Sequence, residues 1–198
     1  MSETQASFNP LFDAPPPSAA SAPPPAEVDP AEIEQMREIL QSRQSLGRAI
    51  AGGFLSALIG AGAWAVITVV TGHQHEAMSL GIGLLVGLAV RKYGRGISPQ
   101  FGVAGASLAF FGSLLGNVFS AGAVMAQALG QPLIQFEMQL ITNPAFFGRL
   151  VLPFFSLWNP MFYVFAAIAG YYLSYRAPTN AELTRMILAP DEEEKLDV

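Results

Sequence analysis

His73, His75 and Glu76 are the residues whose types and spacing come nearest to a metal site in this 198-residue sequence. Residues two apart converge on one ion from a turn or an extended segment, not from one face of a helix, and a closed site needs at least one further ligand. Glu137 is the acidic residue placed to supply it. With so few donors the cluster reads better as a polar cap on a tight turn, and no metal or other cofactor is expected. A Ser-His-Asp arrangement is not available, because both histidines share that turn and no Asp lies on its side of the chain. Gly81-x-Gly83-x-x-x-Gly87 has the wrong last spacing for a dinucleotide fingerprint and follows no strand pattern. The sequence has no cysteine, which removes disulfides, thiolate metal sites and Cys nucleophiles. Two further groups stand out. Asn117, with Thr68, Ser107, Ser113 and Ser120, is polar within long apolar runs, where an interhelical hydrogen bond is worth about 0.6–2 kcal/mol. Arg91, Lys92 and Arg95 form a basic turn that sets topology or meets a lipid headgroup or acidic partner. None of this is the constellation of an enzyme.

The elements that must hold these residues are apolar helices. Hydrophobic residues make up 52% of the chain and charged ones 13%, and between Gly52 and Val90 the ionisable side chains are only His73, His75 and Glu76. Hydropathy and breakers predict an all-α polytopic membrane protein with four spans, at about 48–72, 74–92, 101–125 and 160–176, within a transmembrane domain at 48–176. The apolar core of the second span, Ala77 to Val90, covers only about 21 Å as a helix. It must therefore recruit Gln74 to Glu76 and Arg91 to Tyr93 or thin the bilayer. Between the third and fourth spans, 130–158 is apolar but broken by Pro132, Asn143-Pro144 and Pro153, and it predicts interfacial helices on the outer side with an aromatic belt of Phe146, Phe147, Phe154, Phe155, Trp158 and Tyr163.

The flanks are polar. Residues 1–28, rich in Pro and Ala, predict a disordered tail with no signal peptide. Asp29-Pro30 opens an amphipathic juxtamembrane helix that ends near Gly47. Thr179 with Glu182 makes a capping box in the acidic tail 177–198, which closes on the run Asp191 to Glu194. Arg149 is the one basic residue of ten that falls on the far side of the spans. That asymmetry predicts that both termini lie in the cytoplasm. The net charge of −5, with acid at the chain ends, gives no reason to bind nucleic acid.

Small residues recur four apart along the spans, with Gly52 and Gly60, Gly83 and Gly87, Gly112 and Gly116, and Gly170 as the anchoring positions. Such rows let helix backbones approach closely, within one bundle or against another subunit. Gly53-x-x-x-Ala57-x-x-Gly60 matches Gly105-x-x-x-Ala109-x-x-Gly112, which suggests two helical hairpins of the same orientation.

The strings Gly62 to Thr68, Thr71-Gly72 and Gly81 to Arg91, followed by Gly94 and Gly96, resemble those of bacterial four-span inner-membrane proteins with a Gly-rich core. The resemblance covers roughly 48–125. It implies the fold and the membrane but no activity, and the zinc ribbon that such proteins can carry at the N-terminus does not carry over to a chain without cysteine. The expected function is a non-enzymatic accessory, scaffold or assembly subunit that engages a membrane or cytoplasmic protein, or a second copy of itself, through its tails and Gly-rich faces. The alternative is a small transporter or channel for an uncharged solute; with no formal charge expected inside the spans, an ion-coupled pump is disfavoured.

Overall fold

The computed structural model of the protein describes residues 28–150 and 159–189, all of it helix and connection, with no strand among the described residues. The Pro/Ala-rich stretch up to residue 27, the break at Pro153, the belt members Phe154, Phe155 and Trp158, and the run Asp191 to Glu194 lie outside the described residues. Eight helices follow in order: α1 Pro30–Ser42, α2 Leu46–Thr71, α3 Met78–Gly94, α4 Pro99–Ala128, α5 Leu133–Thr142, α6 Pro144–Leu150, α7 Asn159–Ser174 and α8 Asn180–Leu188. By length and apolar composition two of them, α2 with 26 residues and α4 with 30, suffice to cross a bilayer. The helices α3 and α7 have 17 and 16 residues, about 25 Å each.

Four helices make the bundle. The pair α2 and α3 is one antiparallel hairpin, since Gly60 faces Ile82 while Gly53 faces Val90. A second hairpin pairs α4 with α7, with Gly105 against Gly170 and Phe110 edge-on to Tyr163. The hairpins stack side by side in the same sense. Ala57 and Trp64 of α2 meet Gly112 and Gly116 of α4, and Gly83 and Gly87 of α3 meet Ala166 and Gly170 of α7. Contacts across α3 and α4 close the bundle, while α2 and α7 occupy opposite corners.

Several boundaries differ from the expectation for local reasons. The juxtamembrane helix stops at Ser42, and Gly47 lies inside α2, because the Ser45 hydroxyl accepts from the Arg48 N–H and starts a new helix there. Gln74 to Glu76 do not extend the second span: Gly72 takes the left-handed conformation at φ +71° and ends α2, and the chain reaches Met78 through a turn. Arg91 and Lys92 are not in a turn but in the last helical turn of α3, where cations favour the carbonyl end of the helix dipole. Arg95 is the capping residue beyond it, itself left-handed at φ +50°.

The segment after α4 takes an unexpected path. Glu137 and Leu140 sit at Gly122, Leu133 and Ile134 share a groove with Phe119 and Ala123, and Leu140, Pro144 and Phe147 share another with Leu114, Leu115 and Val118. Later residues thus meet earlier turns of α4. Rather than forming a layer across the end of the bundle, α5 and α6 run back along the flank between α2 and α4. Pro132 and the left-handed Gly130 at φ +63° make the reversal, and Phe136 and Leu140 bury against Ala126 to hold it.

The opposite end of the bundle is stitched by backbone. The Ser45 N–H donates to the Gly94 carbonyl at 3.0 Å, the Arg176 N–H to the Gly96 carbonyl at 3.2 Å, and the Ile97 N–H to Gln44 Oε1 at 3.2 Å. There α1 packs on α8, with an Arg37 guanidinium N–H donating to Asn180 Oδ1 at 2.9 Å.

Candidate functional site

The structure does not gather the residues that spacing put forward for metal. His73 and His75 are exposed on the α2–α3 turn, with His73 Nδ1 2.9 Å from the Thr71 carbonyl, and Glu137 lies elsewhere, against Gly122. Among the described residues no group of three His, Asp or Glu side chains is arranged to hold an ion. Their neighbour Gln74 does reach inward: its amide N–H donates to Ser120 Oγ at 2.8 Å, and that hydroxyl donates to the Asn117 carbonyl at 3.0 Å. The turn is pinned to α4 by this relay.

Asn117 sits at the centre of a polar cluster. It is 1% exposed on α4, beside Gly116, which carries the Trp64 ring of α2. One turn further along α2, Thr68 lies on the same face, and from α7 the Tyr163 hydroxyl adjoins both Asn117 and Asn159. Trp64 Nε1, Thr68 Oγ1, the Asn117 amide and the Tyr163 hydroxyl are all buried with no hydrogen-bond partner within bonding distance among the described residues. Each such group costs about 1–3 kcal/mol when left unpaired. Donors and acceptors from three helices therefore converge in one place inside the bundle.

The glycines anchor this packing. A Cβ on Gly83 would lie 2.5 Å from the Ala166 carbonyl oxygen, on Gly87 2.7 Å from Leu173 Cβ, on Gly112 2.9 Å from Ala57 Cβ and on Gly170 2.7 Å from the Gly105 carbonyl oxygen. Gly60 and Gly116 seat Ile82 and Trp64, and Gly52 lies under the Tyr93 ring. All seven positions meet residues of this same chain, so these rows are occupied by its own packing and present no free face. Gly105, absent from the seven, makes a contact as close as any of them, against Ser174 and the Gly170 carbonyl. Its signal in the sequence was the match to Gly53.

A second polar feature was legible only as a lone acid. Both Glu137 carboxyl oxygens are buried against Gly122 with no hydrogen-bond partner among the described residues. Burial alone pushes its pKa up from 4.5 to about 7. Beside it runs a groove of about 540 Å³ lined by Gly62, Val66 and Val70 of α2, Phe119 and Ala123 of α4, and Ile134 of α5.

At the stitched end, Arg43, Arg48, Arg91, Lys92, Arg95 and Arg176 gather around the bundle, with Arg176 ion-paired to Glu182. No known protein family, curated protein or solved structure matches this chain.

Proposed function

We propose that the chain is a four-span, non-enzymatic integral protein of a bacterial inner membrane, in which α2, α3, α4 and α7 cross the bilayer, and that it serves as an accessory or assembly subunit for another protein. The observation that carries the membrane reading is the sorting of side chains. Ala, Gly, Ser, Thr and Asn fill most of the interior, while Ile59, Val66, Val70, Val103 and Phe111, at 60–80% exposure, face outward. Water would penalise that arrangement and lipid does not. The 17-residue α3 beside the longer α2 and α4 fits a bilayer thinned there, or one whose interface its flanking turns occupy.

With the Gly rows occupied inside the bundle, the accessory role rests on the composite platform that α1 and α8 build at the arginine-rich end, which this reading places in the cytoplasm. The platform joins chain segments from both ends of the sequence, so a partner that grips it senses the whole bundle. Passage of an uncharged solute is the competing reading, favoured by the unpaired polar groups around Asn117.

The test separates the two. Protein extracted in mild detergent is expected to carry a stoichiometric partner that is lost when Arg37→Ala and Leu183→Ala disrupt the platform. A chain that purifies alone and, in proteoliposomes, passes a small neutral solute at a rate that Asn117→Ala changes would overturn the accessory role.

A further inference from the structure

Glu137 is a carboxyl group enclosed where nothing among the described residues answers its charge. Its oxygens rest on the backbone of α4 at Gly122, the position where any side chain would collide with them. On α4 there is no ionisable residue at all over Pro99–Ala128, and on α2 the sole one is Arg48, at the far end of the helix. On α5 itself Glu137 stands alone, α6 offers Arg149, which is exposed and forms no ion pair with it, and residues 151–158 contain no ionisable side chain. The remaining titratable groups toward this end are His73, His75 and Glu76 on the α2–α3 turn and Tyr163 on α7. A carboxylate in such a place has lost its water and gained no partner, whereas a protonated carboxyl has lost far less.

The element that carries it is loosely attached. Among the described residues α5 makes its main contacts with α4 and α6, its buried anchors are Phe136 and Leu140, and Ile134, Met138 and Ile141 stay exposed along the open groove that faces α2. That exposed apolar face can stay in the lipid interface when the contact of Phe136 and Leu140 with α4 opens.

We propose that Glu137 is a proton-operated latch: with the carboxyl protonated, α5 and α6 lie closed on the flank of α2 and α4, and loss of that proton to water releases the segment and opens the groove beneath it. The reaction is a simple exchange of one proton between carboxyl and solvent, coupled to docking. Since the enclosed group holds its proton more tightly than a free one, docking is favoured at low pH. The closed-to-open ratio falls roughly tenfold per pH unit between 4.5 and about 7 and levels off above that.

The chain has no cysteine, so two introduced ones can be labelled cleanly. Spin labels at Ala63→Cys on α2 and Gln139→Cys on α5, both exposed positions, report the separation of the two helices in the full chain in nanodiscs. A single short distance at pH 4.5 that gives way to a longer, broader distribution by pH 8 is expected. In the same pair carrying Glu137→Gln, a neutral isostere, the short distance should persist across the range. Identical distributions at both pH values without the substitution would overturn the latch, as would a pH-dependent opening that survives Glu137→Gln.

Discussion

At Gly83 the Ala166 backbone leaves no room for even a methyl group, whereas a Cβ on Gly62 would meet nothing within 4 Å. The two glycines belong to similar apolar stretches, so replacing each by Ala isolates the packing effect from helix propensity, which favours Ala at both. Gly83→Ala is expected to lower stability by about 1–3 kcal/mol, the usual cost of overpacking a close contact, and Gly62→Ala to be neutral or slightly stabilising. Thermal unfolding in detergent, followed by the aggregation midpoint, checks both. A different residue holds backbone strain. Arg95 is the one non-glycine residue with positive φ among those described, and L-residues pay about 1–2 kcal/mol there, so Arg95→Gly is expected to raise the same midpoint although it removes a cation. Spacing alone exposed the glycines, because a four-residue row has only one use on a helix. It left Glu137 as a lone acid, since nothing local announces that residue 137 will be folded onto residue 122.

Helix ends show why some elements were legible and others not. Thr179 and Glu182 carry their own signal, and both halves of the capping box form: the Glu182 N–H donates to Thr179 Oγ1 at 3.3 Å and the Thr179 N–H to Glu182 Oε2 at 2.9 Å. The Thr179 backbone N–H, with help from Arg176, holds the Glu182 carboxyl below its ordinary range. A depressed pKa means that the support exists above the unfolded value of 4.5 and is lost as pH falls through the folded one. Amide protection in α8, taken relative to the intrinsic exchange rate at each pH, should therefore be greatest near neutrality and fall at acid pH, and Thr179→Ala, which removes a cap worth about 1 kcal/mol, should lower it at every pH. Protection that is equal at pH 3 and pH 6 would remove the box from the account. In contrast, the path of α5 depends on Gly130 and Pro132 turning the chain and on a flank that only the assembled α2 and α4 provide. Its alternating polar pattern fits a helix lying on a bilayer surface equally well, which is why the sequence read it that way. The same holds for α3: its apolar length was plain, but its start at Met78 depends on Gln74 being drawn across to Ser120.

For the molecule as a whole, the two stacked hairpins put four chain positions at one end of the bundle: the α1–α2 junction, the α3–α4 connection, the end of α7 and the start of α8. That end also holds Arg43, Arg48, Arg91, Lys92, Arg95 and Arg176, while Arg149 is on α6, on the flank of α2 and α4. Positive charge near span ends is retained in the cytoplasm, and the connections here are short enough for the rule to act on each of them. A phosphatase active only outside the cytoplasm and a fluorescent protein active only inside it, fused in turn after residues 95, 140 and 189, should then give opposite patterns: fluorescence at 95 and 189, phosphatase activity at 140. The fusion at 140 is the decisive one, because residue 140 lies opposite residue 95 only if the chain crosses an odd number of times between them, and α4 is the helix there that can cross. If 140 reports the same side as 95, then α4 does not cross, and the stacked hairpins would have to lie on or beside the bilayer despite the apolar surface that α2 and α4 turn outward.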